Sequence, residues 1–147
     1  MESFNETDLA WLAGAIDGEG TLCLLKKKRN KTKVGYTYEA RIGIANTDIN
    51  FINKSREILG NNYSYLQSVA DKRYPNSPIC HKLYWTPNTI RNVLPKLLPY
   101  LIKKKQAELV LESTTLLQLG KRHTSEKLNR LEAIYWELKK LHKPNKY

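Results

Sequence analysis

The stretch LAWLAGAIDGEG, from Leu9 to Gly20, limits the fold more than any other part of the sequence. Thr7 or Asp8 is a good N-cap, so the pattern predicts a helix over 8–18, broken by Gly18 and Gly20. Ala10, Gly14 and Gly18 recur every four residues along it. They make a flat, side-chain-poor stripe on which a second helix can come very close. Leu9, Leu12 and Ile16 cover a neighbouring face that can enter a core. Asp17 and Glu19 sit at the helix C-terminus, where the macrodipole disfavours carboxylates. A divalent cation bound beside them would offset that cost. The alternative is an ordinary glycine stop with two solvated acids, and the residues alone leave both open.

Alternating segments follow. Over residues 21–29, Leu22 and Leu24 point one way, and Thr21, Cys23, Leu25, Lys27 and Arg29 the other. After a basic turn ending at Gly35, Tyr36, Tyr38, Ala40, Ile42 and Ile44 share one face. Thr37, Glu39, Arg41, Gly43 and Ala45 share the opposite one. The pair reads as a hairpin with an apolar face and a polar, basic face. Asp48 or Thr47 caps a second helix that ends at Gly60. Residues 63–69 and 80–86 read as a second hairpin, in which Tyr65 and Gln67 lie opposite Leu66 and the phase of the later strand is ambiguous. Thr86-Pro87 starts another helical segment, which Pro95 and Pro99 are expected to break into short pieces. A long helix from about 102 to 119, stopped by Gly120, and one over Ser125–His142 complete the chain. The predicted order is α-β-β-α-β-β-α-α: an α+β domain with a four-stranded antiparallel sheet and extra C-terminal helices. All 147 residues form a single domain, with a core over about 7–120.

Charge narrows the partners. Lys and Arg number 25 against 14 acids, a net charge of +11, concentrated in KKKRNKTK at 26–33, in Lys103, Lys104 and Lys105, and more loosely in the C-terminal third. Nine tyrosines are interleaved with these clusters, a composition that points to nucleic acid. Ribosomal proteins share it, so charge alone does not separate an enzyme from a scaffold. No apolar run approaches membrane-spanning length, and no secretory leader is expected. Cys23 and Cys80 show neither metal-ligand spacing nor a disulfide framework, which suits a reducing intracellular compartment. His81, His123 and His142 show no triad-like pairing.

The string Leu12-Ala13-Gly14-Ala15-Ile16-Asp17-Gly18-Glu19-Gly20 resembles the signature of the LAGLIDADG homing endonucleases, with Ala15 as an apolar swap. The order αββαββα is similar to that family's core. The resemblance implies that the glycine-rich helix packs on a two-fold mate through Ala10, Gly14 and Gly18, with Asp17 tying the paired helices together. It also implies that Glu19 binds the catalytic metal, with the Gly18 carbonyl as an extra ligand. Asn46 matches the polar residue that holds metal-bound water at the end of the second strand. Lys103, in PYLIKKKQA, matches the lysine that lines the active site. Two-motif members act as monomers, whereas a single copy implies a homodimer.

The implied reaction is Mg²⁺-dependent hydrolysis of both strands of a long, pseudo-palindromic DNA site, with Mn²⁺ as a substitute and Ca²⁺ binding without turnover. The polar sheet face is the expected base reader: Cys23, Leu25, Lys27 and Arg29, then Thr37, Glu39, Arg41 and Gly43, then Tyr65 and Gln67, with His81 or Lys82 from the next strand. Lys28, Lys31, Lys33, Lys72 and Arg73 are assigned to phosphates. A second reading is an RNA-binding intron maturase, with intron RNA as partner. A third is a non-catalytic basic protein, which leaves the small-residue stripe and Glu19 unexplained. The expected compartment is a prokaryotic cytoplasm or an organelle, mitochondrion or chloroplast.

Overall fold

The computed structural model describes residues 4–30, 33–118 and 124–142, so Lys31, Gly120 and His123 lie outside the described residues. Helix α1 (Glu6–Glu19) begins two residues earlier than the sequence suggests. Asn5, not Thr7 or Asp8, is the N-cap: it is extended, and its side chain accepts the Asp8 N–H at 2.7 Å. This leaves Glu6 and Asp8 in the first turn, where the macrodipole favours acids. At the other end the Gly20 N–H donates to the Ile16 carbonyl. A Cβ on residue 20 would lie 2.6 Å from that carbonyl oxygen, so only glycine makes this direct passage from helix to strand.

Strands β1 (Gly20–Lys28), β2 (Tyr36–Asn46), β3 (Ser64–Val69) and β4 (Cys80–Trp85) form one antiparallel sheet in the order β1-β2-β4-β3. The alternation expected for the first hairpin holds. Leu22, Leu24, Tyr38, Ala40, Ile42 and Ile44 are buried on one face, joined by Leu83 and Trp85. All five helices contact the sheet, and its burial lies on this side. Register resolves the ambiguous strand: Tyr84 pairs with Gly43 and Lys82 with Ala45, so both take the open face, while His81 pairs with Asn46 and shares the helix side with Leu83.

Helix α2 (Ile49–Leu59) starts at Asp48, whose side chain accepts the Asn50 N–H at 2.9 Å. Helix α3 (Pro87–Leu97) is capped by Thr86 and is not broken at Pro95, contrary to expectation. Interior proline costs about 3 kcal/mol. Here Ile90, Val93, Leu94 and Leu97 are all buried, each worth on the order of 1.5–3 kcal/mol, and Pro95 itself faces solvent. A 3₁₀ turn (Leu98–Tyr100) leads into α4 (Lys104–Gln118), and α5 (Ser125–His142) follows. Leu131, Ile134 and Leu138 of α5 are buried in the same core as α1 and the sheet, so the last helix belongs to the domain. Among the described residues no helix is long and apolar enough to cross a membrane.

Candidate active site and nucleic-acid interface

The two acids at the end of α1 have separate environments. Both Asp17 oxygens accept backbone N–H groups from the residues that open α4: Oδ2 from Ile102 at 2.9 Å and Oδ1 from Lys103 at 3.0 Å. The Lys103 carbonyl in turn accepts the Ala107 N–H at 3.1 Å, so Lys103 stands at the N-cap of α4. The negative charge that α1's C-terminus disfavours is thereby placed at the positive start of another helix. Asp17 was expected to tie two copies together; within its own chain its carboxylate ties α1 to α4.

Glu19 is different. Its side chain is exposed and has no hydrogen bond or ion pair among the described residues. Gly18 beside it is also exposed. Lys103 is half-buried and lines a hollow with Gly20, Thr21, Gln106 and His142, next to the end of α1. Asn46 ends β2 two residues beyond the Gly20–Ile44 pair, at the same end of the sheet as Glu19. Its Oδ1 accepts the Asp48 N–H at 2.8 Å, which leaves the amide NH₂ as its donor. Glu19, Asn46 and Lys103 are thus brought to one end of the sheet from three elements. Among the described residues no three His, Cys, Asp or Glu side chains cluster as a complete metal site.

The stripe on α1 faces outward. Ala10, Gly14 and Gly18 are exposed while Leu12, Ala13, Ala15 and Ile16 are buried, and a Cβ on Gly14 or Gly18 would meet nothing within 4 Å.

The open face of the sheet carries Thr21, Cys23, Leu25 and Lys27 of β1, paired with Gly43, Arg41, Glu39 and Thr37 of β2. Tyr65 and Gln67 of β3 pair with Tyr84 and Lys82. Glu39 bonds the Lys27 ammonium and accepts from Arg41 Nη2 at 3.3 Å. Partial burial pushes its carboxyl up, but these bonds outweigh that and hold it below the usual carboxylate range. Burial pushes the Cys23 thiol up, so it stays protonated despite the nearby Arg41 charge. Gly43 was expected among the base readers, yet it is buried: the Tyr84 ring lies over it, 3.0 Å from where a Cβ would stand. Of His81 and Lys82, Lys82 is on the open face; His81 is on the other, 2.8 Å from the Ser68 hydroxyl.

The remaining cations lie at the rim. Lys28 pairs with Tyr36 and so takes the helix side of the sheet, and the Arg29 N–H donates to Gly35 to close the hairpin. Lys33 and Lys72 are exposed, and Arg73 is exposed and paired with Asp71 at 3.3 Å. Tyr84, at the centre of the open face, was missed by the sequence reading. The period-two spacing of Leu83 and Trp85 on the apolar side was the signal that places it.

No protein-family model and no curated protein matches the chain by sequence. Solved structures do match. The archaeal intron-encoded homing endonuclease I-Vdi141I, complexed with DNA, superposes with a TM-score of 0.80 at 19% identity, over 96% of this chain and 87% of its own. I-CvuI in complex with its target in the presence of 2 mM Ca gives 0.76 at 24% identity, over 97% and 88%. The LAGLIDADG homing endonuclease I-SmaMI, bound to cleaved DNA, gives 0.74 at 21% identity, over 97% of this chain but 48% of its own.

The chain has the LAGLIDADG homing endonuclease fold.

In this LAGLIDADG fold the motif residues occupy α1 and its junction with β1, and the four-stranded sheet presents one uncovered face.

Proposed function

We propose that this chain is a site-specific double-strand DNA endonuclease that acts as a homodimer with Mg²⁺. The observation that carries the proposal is one helix, α1. It presents an exposed stripe of small residues and ends in a carboxylate, Glu19, that has no partner among the described residues, beside an open basic sheet. The exposed stripe suits an isologous contact, in which Ala10, Gly14 and Gly18 meet their own copies. Such a contact brings two Glu19 carboxylates together. Glu19 is a hard oxygen donor of the kind Mg²⁺ takes, and the mate's copy would bring a second. Bound there, the metal supplies Lewis-acid polarisation of a phosphate and a more acidic water. The chain's own residues do the rest. Asp17 fixes the start of α4 and thereby Lys103, whose ammonium stands ready to stabilise charge on a phosphate oxygen. The Asn46 NH₂ orients water, and the open sheet face binds the duplex in its major groove.

The DNA complexes of I-Vdi141I and I-CvuI support a DNA partner; I-CvuI was captured with DNA in the presence of 2 mM Ca and, with the DNA not cleaved, in the presence of 2 mM Mg. The test is Glu19→Gln assayed for binding and for cleavage on the same DNA. We expect duplex binding within a few-fold of the parent and Mg²⁺-dependent cleavage reduced at least about a thousandfold. Full cleavage by Glu19→Gln would remove Glu19 from the chemistry. Binding without cleavage by the parent protein would favour the maturase role instead.

A further inference from the structure

We infer that Arg41 reads a guanine in the inner part of each half-site and is held for that task by Glu39 and Tyr84. The inference rests on the DNA-binding reading above and narrows it to a base. It begins with an anomaly: among the open-face residues of the four strands, Glu39 is the sole acid. A carboxylate on a surface that meets phosphates repels them, so its place there requires a local partner. That partner is double: the Lys27 ammonium and, at 3.3 Å, Arg41 Nη2.

Arg41 is restrained from a second side. Its guanidinium carbon lies 4.8 Å from the centre of the Tyr84 ring. Tyr84 is itself fixed, with its ring on the bare Gly43 backbone and 5.3 Å from the Tyr65 ring. Any larger residue at position 43 would displace it. Arg41 Nε is buried and makes no hydrogen bond, so the Nη1/Nη2 end is the part left to bind. That end borders a hollow lined also by Thr21, Cys23, Lys82 and Tyr84. An arginine fork held on two sides gives up little rotamer freedom on binding. Among base edges in the major groove, guanine O6 and N7 are the paired acceptors that match it. Lys27 shares Glu39 but carries a compact ammonium without that fork. Position follows from register. Arg41 pairs with Cys23, close to Gly20 and the Glu19 end, whereas Lys27 pairs with Thr37 further out.

The experiment selects bound sequences from a library of random DNA duplexes, using the full-length protein in Ca²⁺. The parent, Arg41→Lys and Arg41→Gln are compared, with circular dichroism confirming that each folds. We expect a guanine at one inner position of each half-site. Arg41→Lys should weaken that preference by about tenfold or more with other positions unchanged, and Arg41→Gln should move it towards adenine. An unchanged guanine preference in both variants, or an equal loss at every position, would overturn the inference while leaving DNA recognition intact. Enrichment of no sequence by the parent would overturn both.

Discussion

Asp17 and Glu19 are two residues apart in the same motif, and their surroundings divide their work. Asp17 accepts two backbone N–H groups that open α4; Glu19 accepts none among the described residues. Asp17→Ala should therefore lower stability by about 0.5–2 kcal/mol, because it removes the carboxylate that caps the start of α4. Glu19→Gln should stay within about 0.5 kcal/mol of the parent, as surface changes without partners do. Chemical denaturation of both variants checks this contrast. A second carboxylate makes a pH-dependent claim. Glu132 on α5 accepts from Tyr38, from Lys26 at 2.9 Å and from Trp136 at 3.0 Å. The Tyr38 bond and then the Lys26 bond hold its carboxyl below the usual range. A lowered carboxyl stabilises above its ordinary range, and that contribution is lost as pH falls through the folded value. Glu132→Gln should thus melt below the parent at neutral pH, and the gap should narrow as pH falls below the ordinary carboxylate range. A constant gap across that range would contradict the assignment.

At the scale of elements, α1 carries the clearest signal in the sequence. The small-residue stripe is exposed, and a Cβ added at Gly14 meets nothing within 4 Å in one chain. Leucine also gains up to about 1 kcal/mol of helix propensity over glycine. We expect Gly14→Leu to keep or raise the stability of the single chain while abolishing self-association, as read by sedimentation equilibrium. A dimer that persists would place the interface elsewhere. Much of the fold was legible because local period decided it: the first hairpin's two faces, the Asp48 and Thr86 caps, and the span of α5 all follow from spacing. What sequence reasoning missed depends on contacts between distant residues. The Asp17 bonds to Ile102 and Lys103 cross the whole domain. Tyr84 fills the space over Gly43 only because β4 pairs with β2 in that register. Pro95 stays helical because of tertiary burial that no local rule contains. Among the candidate site residues, Glu19, Asn46 and Lys103 were named from the family resemblance, and the fold brings all three to one end of the sheet. The side of the sheet taken by His81 and the burial of Gly43 were not foreseen.

For the whole molecule, the helices cover one face of the sheet and the other stays open, while a net charge of +11 is carried on a chain of 147 residues. The proposed two-fold pair would double that charge and set two open faces side by side, a shape and field suited to one duplex. The site would then sit where the two α1 helices end. The central claim is that two copies cut both strands at one site with a metal. The most direct test is to incubate the purified protein with a plasmid library of candidate sites, with Mg²⁺ or with a chelator, and sequence the ends. We predict ends at one roughly two-fold symmetric site, lost with chelator and lost in Glu19→Gln. Tight, salt-sensitive binding with no Mg²⁺-dependent ends would contradict the claim.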